Sequence, residues 1–89
     1  NQDKTWYSPD KIAELEDRIK HRSLSPQQED ELFEKIQVAM AETEGEQQDL
    51  LNCLAYRIEL SHTRMSPEEI DREVKSFRDM QNEINKSLR

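Results

Sequence analysis

The chain has 89 residues and a formal net charge of −7, from 20 acidic and 13 basic side chains. That length allows one domain, residues 1–89, with a narrow core, and the acidic balance disfavours nucleic acid and anionic membranes, which both demand a basic footprint. One cysteine, Cys53, excludes an intramolecular disulfide and fits a reducing, cytoplasmic setting, and no apolar run nears the roughly 18 residues of a membrane span.

Three apolar–Ser–Pro steps punctuate the chain: Tyr7-Ser8-Pro9, Leu24-Ser25-Pro26 and Met65-Ser66-Pro67. Each reads as a helix start. Serine at the N-cap accepts from an otherwise unpaired backbone N–H, and proline at the next position has its torsion preset and loses no needed donor. Gln28 and Glu69 stand where a capping box needs them. Tyr7 with Ile12, and Met65 with Ile70, are spaced as hydrophobic staples.

The first predicted helix covers residues 9–21, with Ile12, Leu15 and Ile19 as its stripe. Trp6 and Tyr7 are the only adjacent aromatics, placed to pack over this helix start or to anchor an interface.

The second predicted helix covers residues 26–62. Leu32, Phe33, Ile36, Ala39 and Met40 form one stripe, and Leu50, Leu51, Leu54 and Ile58 the next, with a wholly polar stretch, residues 42–49, between them. Gly45 disfavours a helix interior there. However, at about 100° per residue Leu32, Ile36 and Met40 share an arc with Leu50, Leu54 and Ile58. Continuity is therefore expected, with a kink near Gly45; a break would give a compact bundle instead. Residues 27–49 also hold eight acidic side chains against Lys35 alone, a solvated face or an acidic patch for a basic partner.

The third predicted helix covers residues 67–88. Ile70, Val74, Phe77, Gln81, Ile84 and Leu88 follow a 4-3-4-3-4 spacing, a coiled-coil seam with one polar member and Met80 beside it. Short connections force antiparallel neighbours. The expected fold is all-α, with three helices forming antiparallel, coiled-coil-like hairpins on a long central helix. A second stripe on that helix, Cys53, Tyr56 and Leu60 with Val38 near the same line, has no obvious cover within the chain. The helix 1 region or Trp6 could cover it, and so could another chain.

Little points to catalysis. His21 and His62 lie far apart at predicted helix ends, no Cys/His cluster has metal-ligand spacing, and Gly45 as the only glycine leaves no phosphate-binding loop. Cys53 sits mid-helix in an apolar stretch, as a structural cysteine does. The expectation is a non-enzyme with no cofactor, metal or small-molecule substrate.

Leu50-Leu51-Asn52-Cys53-Leu54, followed by Ser66, Glu68-Glu69 and Glu73-Val74 at matching separations, resembles the Ral-binding helical hairpin of the Ral-binding Rho-GTPase-activating proteins. The resemblance covers residues 50–77. It implies an antiparallel helix pair that binds an active small GTPase, with Leu51 at a contact position. Ala55, Arg72 and Ser76 stand where the family has His, Trp and Arg.

The expected function is a protein-interaction module that docks another protein, such as a small GTPase, through Leu51, Ala55 and Arg72, with Tyr56 and Leu60 on the alternative face. The alternatives are a homodimer paired through Cys53, Tyr56 and Leu60, and an acidic adaptor that neutralises a basic protein.

Overall fold

The computed structural model describes residues 4–87. Among these lie a 3-10 turn, Lys4–Tyr7, and four α-helices with no strand: α1 (Pro9–Lys20), α2 (Pro26–Glu42), α3 (Glu46–Ser61) and α4 (Pro67–Ser87).

The serine caps act as their sequence context requires. Ser25 Oγ accepts from the Gln28 N–H at 3.2 Å, and Gln28 Oε1 accepts from the Ser25 N–H at 2.9 Å. Ser66 and Glu69 exchange the equivalent pair at 3.2 and 3.0 Å. Ser8 has the extended N-cap backbone but no side-chain bond; the third helical position here is Lys11, which has no acceptor to close a box.

The single long helix expected over residues 26–62 does not form. Thr43 leaves α2 in an extended conformation, and Gly45 takes φ 71° and ψ −144°, a region open almost solely to glycine. Gln48 then stabilises the break: its side-chain amide donates to the carbonyls of Met40 at 2.8 Å and Thr43 at 3.0 Å. These carbonyls lie at the end of α2, where the helical ladder runs out, and that of Met40 otherwise takes only a long bond, 3.5 Å, from the Thr43 N–H. The apolar phase shared across residues 42–49 reflects another cause. α2 turns back along α3, and each stripe is the other's cover.

α3 is the centre of the fold, and α1, α2 and α4 all pack on it. Polar ties fix the directions. Glu29 accepts from Ser61 Oγ at 3.3 Å while Gln48 meets Met40, so α2 is antiparallel to α3. Gln47 donates to the Tyr7 carbonyl and Arg57 faces Glu16, so α1 runs parallel to α3. Arg57 binds Asp71 and Asn85 binds Asp49, so α4 is antiparallel to α3. The main core joins Tyr7, Ile12 and Ile19 to Leu32, Ile36 and Ala39 and to Leu51, Leu54, Ala55 and Ile58. Extents of 39 × 37 × 19 Å make a slab about two helix diameters thick.

Two charged residues lie inside, Glu29 and Arg57. Arg57, 5% exposed, donates to Asp71 Oδ1 at 2.8 Å. Its Nε faces Glu16 at 3.5 Å and is the one buried side-chain polar atom without a hydrogen bond among the described residues. Lys20 approaches Asp71 at 3.6 Å. α1, α3 and α4 are thus tied at one point, and the Arg57 hydrogen bond holds the Asp71 carboxyl below the usual aspartate range.

Candidate functional site

The stripe of Cys53, Tyr56 and Leu60 is not bare. α4 covers it, with Cys53, Ile70 and Val74 buried together and Tyr56, Leu60, Met65 and Phe77 packed around them. Tyr56 and Phe77 meet with ring centroids 4.7 Å apart at 40°, within the range of a favourable aromatic pair. The stripe looks uncovered in the sequence because its cover comes from the seam of α4. Val38, expected to extend that stripe, lies on the separate helix α2 and is exposed.

Gln81, the polar member of the seam, has a use: the Cys53 thiol donates to its Oε1 at 3.3 Å. Burial pushes that thiol up to about 11, against the opposing pull of Arg78. A thiol so held is a poor nucleophile at neutral pH.

The residues expected to meet a partner do not converge. Leu51 is 0% exposed and Ala55 is buried; both belong to the main core. At about 100° per residue they point roughly 180° away from Cys53, towards α1 and α2. Leu51 is thus enclosed by the helices around it. Tyr56 and Leu60 are half-buried under α4, and Arg72 is exposed on the outer side of α4.

Ile84, which the seam placed inside, and Met80, expected beside the seam, both lie outside. Met80 is 57% and Ile84 52% exposed. Leu88, the seam's last position, falls outside the described residues. Phe77, Met80 and Ile84 are neighbours at helical i, i+3 and i+7 spacing. With Tyr56 against Phe77 they make a continuous apolar strip along the flank of α3 and α4. Exposed Glu73, one turn before Phe77, and exposed Glu83, beside Ile84, border it.

The sequence carries the reason. Opposite the second half of the seam, the line of α3 that carries Cys53 and Tyr56 continues as polar Glu46 and Asp49, while Leu50 beside them packs on the main core. Asn85 takes the contact instead, donating to Asp49 at 2.6 Å, and this turns Met80 and Ile84 to the side.

Other chemistry is sparse. Among the described residues no group of three or more His, Cys, Asp or Glu side chains could hold a metal ion, and no helix is long and apolar enough to cross a membrane. His21 lies by Asp17 at 3.6 Å and His62 by Glu29 at 3.5 Å, each within a local cap or helix-end contact. A polar cleft of about 490 Å³ opens between the start of α3 and the end of α4, lined by Glu46, Asp49, Arg78 and Asn85. Compared with family models, curated proteins and solved structures, the chain matches none.

Proposed function

We propose that this chain is a non-catalytic protein-interaction module in which α3 and α4, acting as a helical hairpin, dock another protein along the strip of Tyr56, Phe77, Met80 and Ile84. The observation that carries the reading is the exposure of Met80 and Ile84 at 57% and 52%. In a chain with so few large apolar residues, two on one helix flank, continuous with an aromatic pair, form a surface that association would bury. The partner is a protein with a complementary apolar face. A small GTPase is one such class, supported by the resemblance of residues 50–77; Arg72, an expected contact of that resemblance, is exposed on the outer side of α4, away from the strip.

The test is a double substitution, Met80→Glu with Ile84→Glu. Both side chains are more than half exposed, so the variant keeps its helical circular dichroism and melting temperature. Binding to small GTPases loaded with a GTP analogue or GDP is compared for the two proteins by calorimetry. Binding of the GTP form alone, lost in the variant, supports the reading; binding that survives the substitutions removes the strip from it.

The same strip would also serve a second copy of the chain. Sedimentation equilibrium separates the readings, because a homodimer dissociates on dilution and the Glu variant stays monomeric. The acidic face remains as a third surface. Glu31, Glu34, Glu42 and Glu44 are exposed, whereas Glu29 is buried against Ser61 and so leaves that face.

A further inference from the structure

A groove of about 350 Å³ runs between α1 and α2, lined by Trp6, Lys11, Glu14, Leu15, Arg18, Leu32 and Lys35. Trp6, Leu15 and Leu32 give it an apolar floor. Its rim is cationic, with three bases against one acid, on a chain whose net charge is −7. Lys11 pairs with Glu14 at 3.4 Å, but Arg18 and Lys35 have no ion-pair partner among the described residues. Lys35 is the sole base within residues 27–49, facing eight acids in that stretch, and it lies on this groove. In the middle of α2 it has no helix-end dipole to offset. Two cations without an ion-pair partner among the described residues thus stand beside an apolar floor.

We propose that this groove docks an acidic amphipathic helix of a partner protein, apolar side chains over Trp6, Leu15 and Leu32 and carboxylates towards Arg18 and Lys35. From Lys11 to Arg18 the rim spans two turns of α1, about 10 Å, which matches a short helical segment with apolar residues three or four apart. The volume lies in the usual range of binding clefts. A flat bilayer does not enter a concave groove, and the overall negative charge repels nucleic acid. The site lies on α1 and α2 and is independent of the Tyr56–Ile84 strip.

Trp6 is the chain's only tryptophan, so its fluorescence reports occupancy directly. The probe is a synthetic amphipathic helical peptide with leucines flanked by glutamates, beside a counterpart in which lysines replace the glutamates. The glutamate peptide is expected to give a saturable change in Trp6 emission that weakens as salt rises. Affinity is expected to fall at least tenfold or so in an Arg18→Glu, Lys35→Glu variant. Both positions are exposed, and circular dichroism and melting establish that the variant is folded. Amide NMR on the same titration maps shifts to α1 and α2. Equal binding of the two peptides, no saturable change in either fluorescence or NMR, or a signal that follows self-association in the centrifuge each overturns the proposal.

Discussion

Gln48, in the first turn of α3, donates its side-chain amide to the main-chain carbonyl of Met40 at 2.8 Å, so one helix caps the end of the helix before it. The same amide reaches the Thr43 carbonyl at 3.0 Å, and both bonds are partly shielded from water. Gln48→Ala removes the amide from both acceptors, leaving Met40 with only the 3.5 Å bond from the Thr43 N–H, and is expected to cost about 1–2 kcal/mol. Gly45→Ala acts on the backbone instead. A Cβ there meets nothing within 4 Å, so the cost, about 1–3 kcal/mol, comes from φ 71° alone. Urea titration reads both as lower midpoints at unchanged slope. If Gly45→Ala were stabilising and raised helix content, α2 and α3 would be one helix in solution, and the broken fold would be wrong.

The buried guanidinium of Arg57 gives a second prediction. Replacing a buried ion pair by an apolar side chain of similar length is often neutral, while removing one partner strands the other charge. Arg57→Met removes the buried member and leaves Glu16 and Asp71, which are 33% and 47% exposed and stay solvated, so it is expected to change stability little. Glu16→Gln with Asp71→Asn should cost about 1–3 kcal/mol, less than for a wholly buried pair because both carboxylates are partly exposed. The pH dependence follows from Asp71. Its folded value is depressed, chiefly by the Arg57 hydrogen bond. Its contribution is therefore complete above the unfolded aspartate value, about 3.9, and is lost as pH falls through the lower folded value. Urea midpoints measured from pH 6 down to pH 2 should fall less steeply in Asp71→Asn than in the natural chain; parallel curves would remove Asp71 from the acid response.

Local chemistry made most elements legible. Ser25 and Ser66 cap where the Ser-Pro steps put them, and Tyr7 with Ile12, and Met65 with Ile70, share a cluster as staples require. The course of the chain at residues 43–45 was harder to see. Helical phase shows which residues share an arc and is silent on whether one helix or two carry them. What decides is a tertiary bond, Gln48 to Met40, that forms only after the chain has folded back. The surface was less legible for a related reason. A 4-3-4-3-4 seam signals burial only where the facing helix is apolar, and α3 turns polar at Asp49. Met80 and Ile84 accordingly lie outside, while Leu51, Cys53 and Ala55, which looked available, are enclosed by three neighbouring helices.

Cys53 tests that enclosure. With the thiol at about 11, roughly a thousandth is ionised at pH 8, and only the thiolate attacks a disulfide reagent. The side chain is also 3% exposed beneath α4. Labelling in native buffer is expected to be at least about a hundredfold slower than in the unfolded chain and to rise with urea alongside the loss of helix. Fast labelling of the folded protein would mean that α4 does not cover α3 at Cys53. Labelling that accelerates before global unfolding would identify α4 as the first element to detach.

Arg22 offers a route to a more stable chain. It is the one described non-glycine residue in the left-handed region, at φ 54°. The Ser23 N–H reaches the Arg18 carbonyl at 2.9 Å and the Arg22 N–H reaches that of Ile19 at 3.1 Å. This is the helix-ending pattern that glycine ordinarily occupies. A side chain in that conformation costs about 1–2 kcal/mol, and exposed Arg22 recovers little of it by packing. Arg22→Gly is expected to stabilise by about 1 kcal/mol, after allowance for the greater freedom glycine gives the unfolded chain. The melting temperature should rise by about 4–8 °C for a domain of this size. Charge must be separated from backbone, because Arg22 lines a small cleft with Lys20 and Arg57 and removing a third cation there also favours the fold. Arg22→Gln makes the separation: it loses the charge and keeps the Cβ. A melting temperature for the glycine variant above that of the glutamine variant isolates the backbone effect, and equal values would mean that the left-handed turn after α1 is not held in solution.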